Sequence, residues 1–319
     1  MFAYVLKRLG LMVLTLFLII TLCFFVIRLM PGSPFDDPES SPQLERLLEE
    51  KHHLHEPIHV QYYYFWHDIV TEGYWGVSLK IEPNVPVWQV LKNRIPVTLC
   101  LNLLSLCLAI PIGILAGALS ARFAGKLPDR LISILTVLFI SVPAFVFASW
   151  LQYMLGYRGS FAIIYNSTGT TGEKLHSLIL PILALSFWPI ATICRYLRGE
   201  LLDNLNADYM LLARAKGLSR MQAISRHALR NSMVPLVNVI VPLITGILSG
   251  SLVVEKIFAV PGVGGIMTQA VMSHDYWLVM AVLVFYSAVN LITVLLMDIA
   301  YGLIDPRIRL VKGKGEVIG

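Results

Sequence analysis

Charge is what this sequence has least of. Only 14% of its 319 residues are Asp, Glu, Lys or Arg, against 56% hydrophobic, and the mean hydropathy is +0.71. A water-soluble domain carries about 25% charged residues. A chain so depleted cannot cover a water-facing surface of ordinary polarity, so much of its exterior must meet lipid. The net charge of +5 does not point to nucleic acid, because the basic residues cluster in short segments between apolar stretches. Cysteine is sparse too. Cys23, Cys100, Cys107 and Cys194 all lie in apolar stretches with no C-x-x-C or Cys/His spacing, which argues against a disulfide framework or a zinc site. No P-loop is present: the nearest match, Gly169 to Lys174, lacks Gly-Lys-Ser/Thr. The apolar runs hold almost no ionisable groups, only Arg28 near the outer end of the first and Asp298 near the inner end of the last. A gradient-driven carrier, the competing reading from another class, would place carboxylates near mid-membrane. An intramembrane enzyme would need a nucleophile paired with a base, or metal ligands, inside the spans, and no catalytic residue or metal ligand is assigned.

What is present is a series of long apolar runs. A spanning helix needs about 20 mainly apolar residues, and runs near 9–30, 97–121, 131–155, 178–194, 233–254 and 277–301 meet this. The first run outlasts the roughly 7–15 residues of a signal-peptide core and ends without a small-residue cleavage site, so it is expected to be retained. Pro111, Pro143, Pro181, Pro189 and Pro242 fall inside runs, as kinks or breaks that neighbouring helices or cavity water must satisfy. Orientation follows from Lys and Arg in short loops. Segment 122–130 carries Arg122, Lys126 and Arg130, segment 195–232 carries seven basic residues, and the tail carries Arg307, Arg309, Lys312 and Lys314. Segment 156–177 has only Arg158 and Lys174, and 255–276 only Lys256. The expected architecture is an all-α membrane protein of six spans with both termini cytoplasmic: a first helix 1–30, an extracytoplasmic segment 31–96, a five-span core 97–305 with a cytoplasmic loop 195–232, and a tail 306–319. Gly113 with Gly117 and Gly246 with Gly250 are G-x-x-x-G pairs that would let helix backbones approach.

The loop 195–232 is the most informative segment. Asn206 or Asp208 can cap a short helix through Tyr209, Ala213 and Ala215. Gly217 suits its C′ turn because glycine enters the left-handed region freely, and Ser219 can cap a second helix through Ala223 and Ala228. Such an element could be a solvated connector whose basic residues set topology, or a docking element for a soluble partner. Asp208-Tyr209, then Ala213-Arg214-Ala215-Lys216-Gly217-Leu218, then Arg226-His227-Ala228-Leu229-Arg230-Asn231 resemble the coupling-helix signature of ABC importer permeases. Within these the chain is similar to the dipeptide/oligopeptide/nickel permease family, first permease type. Pro31-Gly32, Gly76-Val77-Ser78, Pro86-Val87, Arg94 to Leu99, Ser141-Val142-Pro143, Glu255 to Phe258 with Pro261 to Gly264, and Asp305-Pro306-Arg307 match in order and spacing. Departures are Leu211, where the general motif has an acid, Ser33, where Asp is usual, and Tyr276, where Pro is common.

The resemblance implies the ABC type I importer permease fold in the cell membrane and a peptide-import function, with nickel-chelate or glutathione import as the alternative substrate class. It implies a second homologous permease, two ATPase subunits that bind ATP and Mg, an extracytoplasmic peptide-binding protein, and no cofactor in this chain. Asp208, Tyr209, Ala213, Lys216 and Gly217 would form the ATPase contact with Arg214 and His227 beside them, and Arg226 and Arg230 would brace the loop by ion pairs or lipid phosphates. The Glu255–Gly265 connector, with Pro261, Gly262 and Gly264, is expected to be a tight re-entrant turn of an outer gate. His52, His53, His55, His59 and His67 are dense enough to bind a transition metal but also suit a hydrated outer segment, and the aromatics Tyr62 to Trp66 are expected to pack it or to rest at the membrane interface.

Overall fold

The computed structural model describes residues 2–29, 43, 47, 49, 50 and 53–304, with backbone alone at 2–5, 220, 221, 244–251 and 298–304. The expected cytoplasmic tail 306–319, Pro31-Gly32, Ser33, His52 and Asp305 to Arg307 lie outside the described residues, as do the side chain of Asp298 and the surroundings of Gly246 and Gly250. Helices follow in the order α1 (Phe2–Arg28), α2 (Ile58–Glu72), α3 (Val87–Arg122), α4 (Leu127–Ser141), α5 (Ala144–Leu151, extended by a π-helical turn Gln152–Tyr157), α6 (Thr171–Ser177), α7 (Ile179–Leu205), α8 (Asp208–Ala215), α9 (Arg220–Ala223, leading through a π-helical turn Ile224–Ala228), α10 (Leu229–Ile257), α11 (Val263–Met272) and α12 (Tyr276–Ile304). Among the described residues the only strand-like pairing is one bridge, Val77 with Pro86.

Among the described residues each of the six apolar runs falls largely on helix. Parts of α1 and α12, with α3 and α7 whole, are long and apolar enough to cross a membrane, and α4 with α5 makes a fifth if the bent pair is one span. The expected single span 131–155 is in fact broken, with a 103° bend. Val142 is extended (φ −94°, ψ 124°) and Pro143 follows at φ −58°, ψ 144°. A proline ring disfavours helical geometry in the residue before it and removes a donor, so the helix stops and restarts instead of kinking. The fourth span is longer than expected. Pro181 sits in the first turn of α7, where an amide would lack an intrahelical partner anyway, and α7 runs on to Leu205.

The chain divides into two compact units. The first comprises residues 1–99 and 259–291. Its core holds Ile20, Phe24, Phe65, Val87, Leu91, Ile266 and Leu278. The aromatic run on α2 packs as expected on one face only: Phe65 is buried and stacks near Trp277 and Phe24, Tyr62 meets Phe24 and Phe25, and Tyr63 and Tyr64 stay exposed. The polar anchor of this unit is Asp275. Its Oδ2 accepts the Ser78 hydroxyl at 2.6 Å and the backbone amides of Leu79, Lys80 and Ile81 at 3.1, 3.2 and 3.3 Å. Both Ser78 and Asp275 are fully buried. Gly76, at φ +91°, lies against the Trp277 ring, where an added Cβ would come within 2.5 Å.

The second unit comprises residues 100–258 and 292–319. Here Gly113 and Gly117 of α3 lie directly on α7: a Cβ at Gly113 would stand 2.8 Å from Ile193 Cβ, and one at Gly117 would stand 2.9 Å from the Cys194 carbonyl. The G-x-x-x-G spacing therefore makes a true backbone approach at this pair. Leu197, Leu201, Leu236 and Leu243 fill the core between α7 and α10.

Asp275→Ala would leave one buried hydroxyl and three amides without their shared acceptor. We expect a loss of roughly 3 kcal/mol in stability, read as a lower unfolding midpoint in detergent, with Asp275→Asn intermediate. An unchanged midpoint for the alanine variant would contradict the anchoring role.

Candidate functional site

The α8 segment is shaped mainly by its C-terminal end. Ala207, not Asn206 or Asp208, occupies the N-cap, and no side chain bonds there. The Asn206 amide instead closes the end of α7 on Leu202 and Asp203, while Asp208 sits in the first turn of α8, where a negative charge favours the helix dipole. At the other end Gly217 has φ +87°. Its amide donates to Arg214 O at 3.0 Å and the Leu218 amide to Ala213 O at 3.3 Å, the paired bonds of a Schellman turn. No atom lies within 4 Å of a Cβ built at Gly217, so backbone conformation alone calls for glycine here. Ser219 does cap α9: its Oγ accepts the Gln222 amide at 3.3 Å, and Gln222 Oε1 accepts the Ser219 amide at 3.1 Å, a reciprocal capping box.

Burial splits α8 into two faces. Met210 and Ala213 are buried in the unit's own core with Ala223 and Ala228, so Ala213 spaces α8 from its own chain. Leu211 and Leu212 are 66% and 58% exposed. With Ala215 they form an apolar strip rimmed by exposed Asp208, Arg214 and Lys216. Arg226, His227 and Arg230 are also exposed, and among the described residues neither arginine has an ion-pair partner.

Tyr209 serves as a tether. Its hydroxyl donates to Asn204 Oδ1 on α7, and Asn204 Nδ2 donates to Ser232 Oγ on α10 at 3.0 Å. The short helix is thus linked by one hydrogen-bonded chain to both long helices beside it. A second brace lies at Asp129, nearly fully buried. Arg198 of α7 grips it with two parallel bonds, Nε to Oδ1 at 2.7 Å and Nη2 to Oδ2 at 2.8 Å, and the Ser120 hydroxyl and Gly125 amide also donate to it. Sequence reasoning missed Asn204, Ser232 and Asp129 because each bond spans helices that only the fold brings together. Arg198 looked like a topology anchor.

The Glu255–Gly265 connector is differently built from the expected tight turn. Glu255 is fully buried on the last turns of α10 in the second unit, while Pro261, Gly262 and Gly264 belong to the first unit. Gly262 is extended (φ −101°, ψ −179°) and precedes the apolar α11, whose first amide, on Val263, donates to Thr98 Oγ1 at 2.8 Å. In the second unit, Gln152 Nε2 donates to the carbonyls of Ile163 and Ile257 at 2.8 and 2.9 Å, and the Tyr165 amide donates to Phe258 O at 2.8 Å. These bonds fix the end of α10. Gln152, on the π-helical turn after α5, gave no sequence signal of this role.

The remaining singled-out segments have local explanations. In Gly169 to Lys174, Glu173 Oε2 accepts the Thr170 amide at 2.7 Å while Thr170 Oγ1 accepts the Glu173 amide at 3.4 Å. This is a capping box at the start of α6, and its bonds hold the Glu173 carboxyl below the usual carboxylate range. The histidines disperse: His53 stacks on Tyr64, His55 meets Glu49 at 3.0 Å and His67 meets Asp68 at 3.2 Å. Among the described residues no three His, Cys, Asp or Glu side chains converge as a metal site.

Residues 109–310 match the family described as the inner membrane component of binding-protein-dependent transport systems. The chain is similar to a dipeptide transport system permease of Lactococcus lactis, 39% identical over 310 residues that cover 97% of this chain and all of the relative. It is 35% identical to a dipeptide permease of Bacillus subtilis, over 97% of this chain and 98% of that one. An oligopeptide permease of Escherichia coli K12 is 33% identical over 97% and 100%. Among solved structures, an inward-facing methionine ABC transporter aligns with a TM-score of 0.48 and 17% identity over 66% of this chain and 96% of its own. This multi-pass membrane protein belongs to the family of binding-protein-dependent transport system inner membrane components.

Proposed function

We propose that this chain is the transmembrane permease subunit of an ATP-driven importer of dipeptides or oligopeptides. What carries this reading is the full-length similarity to a dipeptide permease at 39% identity, far beyond what a shared membrane composition would produce. The proposed assembly pairs this chain with a second, similar permease around one pore. Two ATPase subunits dock inside, and a peptide-binding protein delivers substrate outside. Six spans with both termini cytoplasmic place loop 195–232 on the ATPase side, and the type I importer fold accommodates this arrangement. ATP and Mg are bound by the partners, and this chain catalyses no reaction.

In this proposal α8 is the docking element. The exposed strip of Leu211, Leu212 and Ala215 fills an apolar groove in the ATPase, and Asp208, Arg214 and Lys216 set its register at the rim. Gly217 fixes the angle at which the helix leaves. Tyr209 carries displacement of that helix into α7 and α10 through Asn204 and Ser232, and the Asp129–Arg198 pair passes it on from α7 to α4, while Ala213 acts from inside by allowing α8 to sit close. Arg226, His227 and Arg230 face solvent or lipid phosphate. Glu255, Pro261, Gly262 and Gly264 are proposed as parts of an outer gate that this displacement moves.

The direct test is peptide uptake into liposomes holding the whole complex. Replacing the ATPase catalytic glutamate should abolish accumulation, and continued uptake would refute the proposal. Gly217→Val forces a β-branched residue into the left-handed region at a cost of about 2 kcal/mol. It should leave insertion and assembly intact but cut uptake at least tenfold more than ATP hydrolysis. Equal retention of both activities would remove the docking geometry. Asp129→Ala strands the Arg198 guanidinium and should cost roughly 2–4 kcal/mol, less than a fully buried pair because Arg198 reaches solvent. The swap Asp129→Arg with Arg198→Asp should recover part of the uptake-to-hydrolysis ratio, and a ratio unchanged in every variant would show that the pair bears no load.

A further inference from the structure

Unit one contains a cavity of about 260 Å³ at the outer end of α1, lined by Arg28, Tyr64, Asp68, Glu72, Tyr74 and Trp277 among others. Opposite charges line this space without touching: among the described residues no ion pair joins Arg28 to Asp68 or Glu72, and Asp68 Oδ1 has only His67 Nδ1 beside it, at 3.2 Å. Arg28 is instead held by aromatic rings, its guanidinium 5.5 Å from the Phe24 centroid and 5.7 Å from that of Trp277. Asp68 and Glu72 stand four residues apart on α2, hence on one face about 5–6 Å from each other at their Cβ atoms. The cation comes from one helix, the two anions come from another, and rings form the wall.

We propose that this cavity binds a small zwitterion, a short peptide or a free amino acid, with its carboxylate on Arg28 and its ammonium between Asp68 and Glu72. A guanidinium offers a carboxylate two parallel charge-assisted bonds. An ammonium gains from two carboxylates and from an aromatic face. The size agrees, since the cavity is smaller than the roughly 300–1,000 Å³ of sites for drug-sized ligands and leaves room for one or two residues. A ligand of one charge sign would leave either Arg28 or the carboxylate pair uncompensated, whereas a zwitterion engages both. The site lies within the first unit. Its outward placement rests on the topology proposed above, and it would hold substrate on this chain before or beside the pore.

The test titrates L-alanyl-L-alanine, with free alanine as the second arm, into the purified whole complex in lipid nanodiscs without nucleotide or binding protein. Calorimetry should show saturable binding of at least one of the two, and the tighter one identifies the source. Acetylating the amine or amidating the carboxylate should each weaken binding at least tenfold. Arg28→Gln should weaken the free ligand tenfold or more while leaving the amidated one unchanged. Glu72→Lys, at an exposed position that tolerates change, should do the same for the free and acetylated forms. Absence of saturable binding by both ligands, or binding indifferent to both variants and both blocking groups, would overturn the site. ATP-driven uptake measured on the same preparation separates the two ideas: intact uptake with no such binding refutes the cavity alone, while failed uptake in the unsubstituted complex refutes the importer function.

Discussion

Hydrocarbon offers no partner to a backbone amide or carbonyl, and each such group left bare costs several kcal/mol. Helix is therefore the default for this chain, and departures from it have visible compensation. At the break between α4 and α5 the Val142 amide still reaches the Leu138 carbonyl at 3.1 Å, and the Val146 amide takes the Pro143 carbonyl at 3.0 Å. Beyond α5, where the helix widens into a π turn, Gln152 donates to two carbonyls at once. The same constraint governs side chains. Asp129 and Asp275 are buried carboxylates, and each has gathered four hydrogen bonds from three or four residues, those to Asp275 all converging on Oδ2 while its Oδ1 has no partner among the described residues. Removing such groups from water is tolerable only with that degree of satisfaction.

A scaffold of this kind suits the transmission of motion. Close packing at Gly113 and Gly117 leaves little slack between α3 and α7, and interiors packed this tightly shift as bodies instead of deforming. The coupling segment is small, but it is tied at Tyr209 to α7 and α10 through Asn204 and Ser232. On the proposed function, these ties convert a push on an eight-residue helix into displacement of two helices of 27 and 29 residues.

Much of the fold was legible because lipid imposes length and polarity on each crossing. The apolar runs, the glycine approach on α3, the turn at Gly217 and the Ser219 cap all follow from local rules. The break at Pro143 was visible only as a proline, since a kink and a full stop share the same residue and differ in what surrounds it. The site was legible at its boundaries and less so in its interior. Ala213 looked like a contact for a partner, but burial turns it inward, while Leu211, noted only as a departure from the family motif, forms the exposed strip with Leu212. Asn204, Ser232, Asp129 and Gln152 act across 11 to 105 positions of sequence, and no periodicity or motif encodes a contact at that range.

The central claim is that the exposed face of α8 is covered by an ATPase subunit. It is tested most directly by placing a cysteine at Leu212 and measuring its labelling by a water-soluble maleimide in inside-out vesicles. The account predicts rapid labelling of the permease pair alone and strong protection once the ATPase subunits are bound, with Arg226→Cys less protected. Equal labelling of Leu212→Cys with and without the ATPases, in complexes shown to be intact, would contradict it.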